Sequence, residues 1–135
     1  MEKEEIDLVK KSWTYVTTHI HEAGSIFYGI LFEKAPEVRN LFKGDMTAQS
    51  KKLMTMLSFI VSKLDNLDEL TDDIRNLAVR HENYQAKPEY YPLVGWALIE
   101  TLKTGLGNQW TKEHEKAWTQ VYSLLSQTMI NHYKK

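Results

Sequence analysis

The residue of this chain best placed to do chemistry is His81. It closes an apolar stripe of Ile74, Leu77 and Ala78, spaced three or four apart, which is one face of an α-helix. An imidazole where the periodicity predicts another leucine suits two roles: a core histidine bonded to a neighbour, or a ligand for a buried metal or cofactor. Four other histidines compete for such a role. His19 and His21 fall at a helix junction, His114 in the polar first turn of the last predicted helix, and His132 near the end of the chain. All four are expected in solvent, and no metal-ligand spacing links them. The chain has no cysteine, which excludes thiolate-bound zinc and iron–sulfur clusters. A single histidine suits haem iron better than zinc, because the porphyrin supplies four ligands and the protein need add only one.

The elements that must position His81 are helices. Helical periodicity recurs along the chain, and two-residue alternation bounded by hairpin turns is nowhere sustained, so an all-α fold is expected. The first helix is predicted from about Glu4 to Thr18, burying Ile6, Val9, Trp13 and Val16. A second begins near His21, carries Ile26, Phe27, Ile30 and Leu31, and stops before Pro36, which opens a short separate turn to Phe42. Lys43-Gly44-Asp45 reads as a loop. Thr47 then reads as the cap of a long helix to about Leu64, with Leu53, Met56, Leu57, Ile60 and Leu64 inward. The segment from Asp65 to Thr71 is expected to turn, leaving the His81 helix from about Asp72 to Asn83. Lys87-Pro88 breaks the chain before a helix from about Tyr90 to Leu106, capped by Gly107, and Thr111, with Glu115 close behind, starts the last one. Seven or eight helices of unequal length, two of them very short, argue against an up-and-down bundle.

Composition narrows the function classes. At 135 residues the chain reads as one domain, 1–135, large enough to bury roughly two thirds of its unfolded surface around a ligand pocket. Its 17 basic and 18 acidic residues are mixed along its length and give a net charge of −1, which is no footprint for nucleic acid. The start, Met1-Glu2-Lys3-Glu4-Glu5, is acidic where a signal peptide is basic, and no apolar run approaches membrane-spanning length. A soluble cytoplasmic protein without a membrane partner is therefore expected.

The order of these features resembles the globin family over essentially the whole chain. Trp13 stands where many globins have a first-helix tryptophan, Pro36 and Phe42 where they keep a proline and a haem-packing phenylalanine, and His81 where they keep the proximal iron ligand. The segment from Gln49-Ser50-Lys51-Lys52-Leu53 through Leu64-Asp65-Asn66-Leu67 looks like the globin distal helix, with Gln49 replacing the usual distal histidine. Phe27-Tyr28, Pro36-Glu37-Val38-Arg39, Leu41-Phe42 and Tyr90-Tyr91-Pro92-Leu93-Val94-Gly95 are similar to bacterial single-domain globins and to the globin part of flavohaemoglobins.

The resemblance implies a globin fold of about seven helices around one haem b, with His81 on the iron. It assigns Tyr28 and Gln49 to the distal pocket as a hydrogen-bonding pair. Leu53, one turn after Gln49, shares its helix face and is placed beside the ligand. Contact of Phe42, Leu53, Met56 and Leu57 with haem is likewise implied by the family; composition alone makes them core. Lys52 and Arg80 stand as candidate propionate partners, with a solvated side chain the alternative for Lys52. Tyr91 matches a tyrosine that, in flavohaemoglobin-like globins, joins a last-helix glutamate in supporting the proximal imidazole. The place of that glutamate falls in Asn131-His132-Tyr133, where there is no acid.

The function implied is reversible, tight binding of oxygen and other small haem ligands, for scavenging, delivery or transport. Two alternatives stand beside it: nitric oxide detoxification as a dioxygenase served by a separate reductase, and diatomic-gas sensing. No reductase or output domain is expected within the chain.

Overall fold

The computed structural model describes residues 2–19, 23–42, 45–83 and 88–133. Among them, six α-helices are joined by three short 3-10 segments, and there is no strand. Helix α1 spans Lys3–His19, with Glu4 and Glu5 set against the positive end of its dipole and Val9, Ser12, Trp13 and Val16 buried. Helix α2, Ala23–Lys34, ends where Pro36 forces Ala35 out of helical geometry (φ −138°, ψ 76°), and a 3-10 turn covers Pro36–Leu41. The expected start of α2 near His21, and the loop at Lys43-Gly44, lie outside the described residues.

Helix α3 runs over Met46–Ser62, and its cap is Asp45 rather than Thr47. The Asp45 carboxylate accepts the Thr47 N–H at 2.9 Å, so the helix starts ahead of the expected cap. At its other end the helix stops at Ser62, although Leu64, just beyond, is still fully buried.

Helix α4, Leu67–Asn83, starts five residues earlier than expected. Asn66 and Glu69 form a reciprocal cap: Asn66 Oδ1 accepts the Glu69 N–H at 3.4 Å, and its Nδ2 donates to Glu69 Oε2 at 2.9 Å. What reads as a turn from Asp65 to Thr71 is thus mostly helix. Asp68 and Glu69 also favour its positive end. The apolar stripe begins a turn sooner too, with Leu70 buried ahead of Ile74 and Leu77.

A 3-10 turn at Pro88–Tyr90 leads into α5, Tyr91–Leu106, which ends on Gly107 at φ 53° as anticipated. The expected break at Lys87 lies outside the described residues. Helix α6 covers Lys112–Tyr133. Its cap is Thr111, whose hydroxyl accepts the His114 N–H at 3.3 Å while the Thr111 N–H donates back to His114 Nδ1 at 3.2 Å. His114 therefore takes the role that glutamate or glutamine plays in a capping box. Half-buried and stacked on Trp110, it departs from the expected solvated residue. His19 is exposed as expected; His21 and the side chain of His132 are outside the described residues.

Helix α2 packs on α3 and α5, α1 on α3, α5 and α6, and α4 on α6. Gly24 permits the α2–α3 crossing, since a Cβ there would stand 2.9 Å from the Ser50 carbonyl oxygen. The indole of Trp13 donates to Ser58 Oγ and that of Trp118 to Ser12 Oγ, both at 2.9 Å, which ties α1 to α3 and α6. No helix among the described residues is long and apolar enough to cross a membrane.

Candidate functional site

The α3 and α4 helices follow each other in sequence but pack mainly on other elements: α3 on α2 and α1, and α4 on α6. The residues singled out from the sequence fall on α2, the first 3-10 turn and α3 on one side of the sequence, and on α4 and α5 on the other. Tyr28 is 8% exposed on α2, inside an aromatic group. Its ring centroid lies 5.0 Å from Phe27 and 5.1 Å from Phe42, both edge-on, and 5.6 Å from Phe32, stacked. Such offset and edge-on pairs are the favoured aromatic arrangements. Burial pushes the Tyr28 phenol up to about 12, so it stays a neutral donor at physiological pH. No hydrogen bond from its hydroxyl is present among the described residues, and the expected bond between Tyr28 and Gln49 is not formed here.

Gln49 is half-buried on α3, with Leu53 half-buried one turn on, Met56 half-buried and Leu57 buried. Lys52 is exposed. Phe42, half-buried, follows the 3-10 turn in an extended conformation. Partly buried apolar residues on α3, among them Leu53, Met54 and Met56, and on α5, among them Leu93 and Val94, pack against the core without being enclosed by it.

On the other side, α4 carries Arg80 and His81 in its backbone, while their side chains lie outside the described residues. The stripe leading to His81 is buried as far as Leu77. Tyr91 is 7% exposed at the start of α5. Its carbonyl accepts the Tyr122 hydroxyl at 2.6 Å, and burial raises the Tyr122 phenol well above its ordinary value. The Tyr122 ring lies against Gly95, where a Cβ would sit 2.5 Å from a ring carbon. The side chains of Asn131, His132 and Tyr133 are also outside the described residues. No cluster of three or more acidic or histidine ligands occurs among the residues described.

Arg39, Phe32 and Tyr122 were not apparent as site residues from the sequence. Phe32 is signalled only by its place one turn after Tyr28 on the same helix face. Tyr122 reads as ordinary core, and its tie to Tyr91 spans two helices that no local pattern connects.

The described residues thus set a buried phenol on α2, half-buried apolar residues on α3 and a histidine-bearing α4 in one all-α fold. The chain belongs to the globin family, whose model matches residues 25–129. It is 32% identical over 135 residues to an uncharacterized globin-like protein of Aquifex aeolicus, covering 100% of this chain and 96% of that one. It is 29% identical over 137 residues to a flavohemoprotein of Oceanobacillus iheyensis, covering 97% of this chain but 33% of the relative's length. A bacterial globin from Campylobacter jejuni superposes with a TM-score of 0.83 at 25% identity, covering 98% of this chain and 96% of that one. Membership of the family implies haem and small diatomic ligands.

Proposed function

We propose that this globin holds one haem b between α3 and α4, with His81 on the iron, and binds oxygen reversibly and tightly through Tyr28 and Gln49. The observation that carries the reading is Tyr28. The Tyr28 ring is buried while its hydroxyl has no protein partner among the described residues, which leaves its proton free for a bound ligand. The partly buried apolar side chains of α3 and α5 suit the face of a flat apolar macrocycle. Contacts of Phe42, Leu53 and Leu57 with haem, of Lys52 and Arg80 with its propionates, and of Tyr91 with the His81 imidazole belong to the same proposal.

Ferrous haem, when bound, supplies the site for a diatomic ligand and shifts negative charge onto oxygen more than onto carbon monoxide. The protein's part is to meet that charge. Tyr28 donates its phenol proton; Gln49 donates from its amide and can accept from Tyr28 through its carbonyl. Two such bonds worth roughly 3 kcal/mol together raise oxygen affinity on the order of a hundredfold. The Gln49 amide would be a weak ligand for ferrous iron and so would compete little with a gas for it.

The absorbance spectrum of the reduced protein, with and without oxygen, tests the reading. A strong band near the blue end of the visible range that shifts on oxygenation supports it; colourless protein from haem-replete cells overturns it. The second reading, oxidation of nitric oxide with a separate reductase, rests on the likeness to flavohemoprotein. Sustained consumption of nitric oxide with cellular reductant would favour it over storage or delivery of oxygen.

A further inference from the structure

The aromatic group around Tyr28 is held from outside by a cation. Arg39 lies in the 3-10 turn just before Phe42, with its side chain exposed. Its Nη1 donates to the Phe42 carbonyl oxygen at 3.0 Å, and the Phe42 N–H donates back to the Arg39 carbonyl at 3.2 Å. The same guanidinium stands 5.5 Å from the centre of the Phe32 ring. Phe32 and Phe42 are 5.6 Å apart, and both pack on Tyr28. One planar group thus touches the backbone of one ring-bearing residue and the face of another, which a lysine ammonium on its flexible stem does less well. Among the described residues Arg39 makes no ion pair with a carboxylate that would draw it elsewhere.

We propose that Arg39 is a positioning residue for the distal side. By fixing the chain at Phe42 and the ring of Phe32, it sets where the Tyr28 phenol stands and how firmly Phe42 retains haem. The inference rests on the haem reading above, but it makes a separate claim: that ligand release and haem loss depend on a charge outside the pocket.

Arg39→Met keeps the length of the side chain and removes its donors and charge. Because the residue is exposed, the variant is expected to fold, with circular dichroism and apoprotein melting like wild type. In apoprotein carrying isotope-labelled tyrosine, the Tyr28 ring resonance, assigned by its disappearance in Tyr28→Phe, should move. In haem-loaded protein, haem transfer to an acceptor apoprotein and oxygen release should each quicken about fivefold, the weight of one charge-assisted bond at an exposed site. Arg39→Lys should fall between Arg39→Met and wild type. In a Tyr28→Phe background, Arg39→Met should still quicken haem loss but leave oxygen release alone, since its effect on oxygen passes through Tyr28. Unchanged haem loss together with an unmoved Tyr28 resonance overturns the proposal, and fully additive effects on oxygen release overturn its link to Tyr28. If Tyr28→Phe alone left oxygen release unchanged, the distal-donor reading would fall, and haem loss would still decide the role of Arg39.

Discussion

Two aromatic groups in this molecule handle their polar atoms in opposite ways. Where α1, α3 and α6 meet, Trp13 and Trp118 pack at 5.9 Å and each indole N–H is paired, with Ser58 and with Ser12. Around Tyr28 the rings pack as closely, yet the phenol finds no protein acceptor among the described residues. A paired buried polar atom specifies packing, whereas the Tyr28 hydroxyl leaves its proton free for another acceptor. The tryptophan group is structural, while the tyrosine group keeps the free donor that the proposed function needs.

The comparison is tested most severely at Trp118, which is 1% exposed. Trp118→Ala should lower unfolding stability by about 3–5 kcal/mol, mainly through the cavity, as read by denaturant titration, since Ser12 keeps its own bond to the Val9 carbonyl. In whatever fraction stays folded and loaded, the oxygen release rate should match wild type. A large change in that rate would show that the two groups are not separate. A smaller effect of the same kind is expected from Gly24→Ala. The added methyl meets the backbone of Ser50, which cannot swing away as a side-chain tip could, so about 1–3 kcal/mol should be lost.

Tyr28→Phe should behave the other way round. Removing a hydroxyl with no protein partner should leave apoprotein stability within about 1 kcal/mol of wild type, while oxygen release quickens about tenfold, the weight of one of the two proposed bonds. Because burial holds the phenol up to about 12, wild-type oxygen release should be flat between about pH 6 and 9. A stability loss as large as that of Trp118→Ala, or a rate that rises with pH across that range, would place Tyr28 with the structural group.

How far these two groups were legible in the sequence follows from the range of the interactions. Tyr28, Phe42, Gln49 and His81 stand out through the resemblance of their order to that of globins, and the all-α architecture by its periodicity. The bonds from Trp13 to Ser58 and from Trp118 to Ser12 join distant segments, so they have no local signature. The close passage of Gly24 over Ser50 is likewise invisible before the helices cross. The early start of α4 is legible in Asn66 with Glu69 three residues on, which is a capping pattern, although the acidic run around it reads as a turn. At α3, two candidate caps two residues apart, Asp45 and Thr47, compete, and only the three-dimensional path shows that the first one wins.

The smallest expected effect belongs to His114, a paired polar group whose pairing depends on its charge. Its Nδ1 accepts the Thr111 N–H at 3.2 Å, which only the neutral ring can do, and burial lowers its pKa from 6.5 even though Glu113 pulls the other way. Below about pH 6.5 the unfolded chain therefore takes up a proton at this site that the folded chain resists, so stability rises with pH across that window. The contribution is complete above about 6.5 and is lost as the pH falls toward the lowered folded value. In His114→Gln, the amide oxygen can still accept the Thr111 N–H but does not titrate, so the variant should keep the cap at pH 7 and lose less stability than wild type on going to pH 5. The difference should be a few tenths of a kcal/mol, as expected of a partly solvated cap. Equal pH slopes for the two proteins would mean that α6 is held by its packing on α1 and α4 and that the Thr111–His114 pair adds nothing to it.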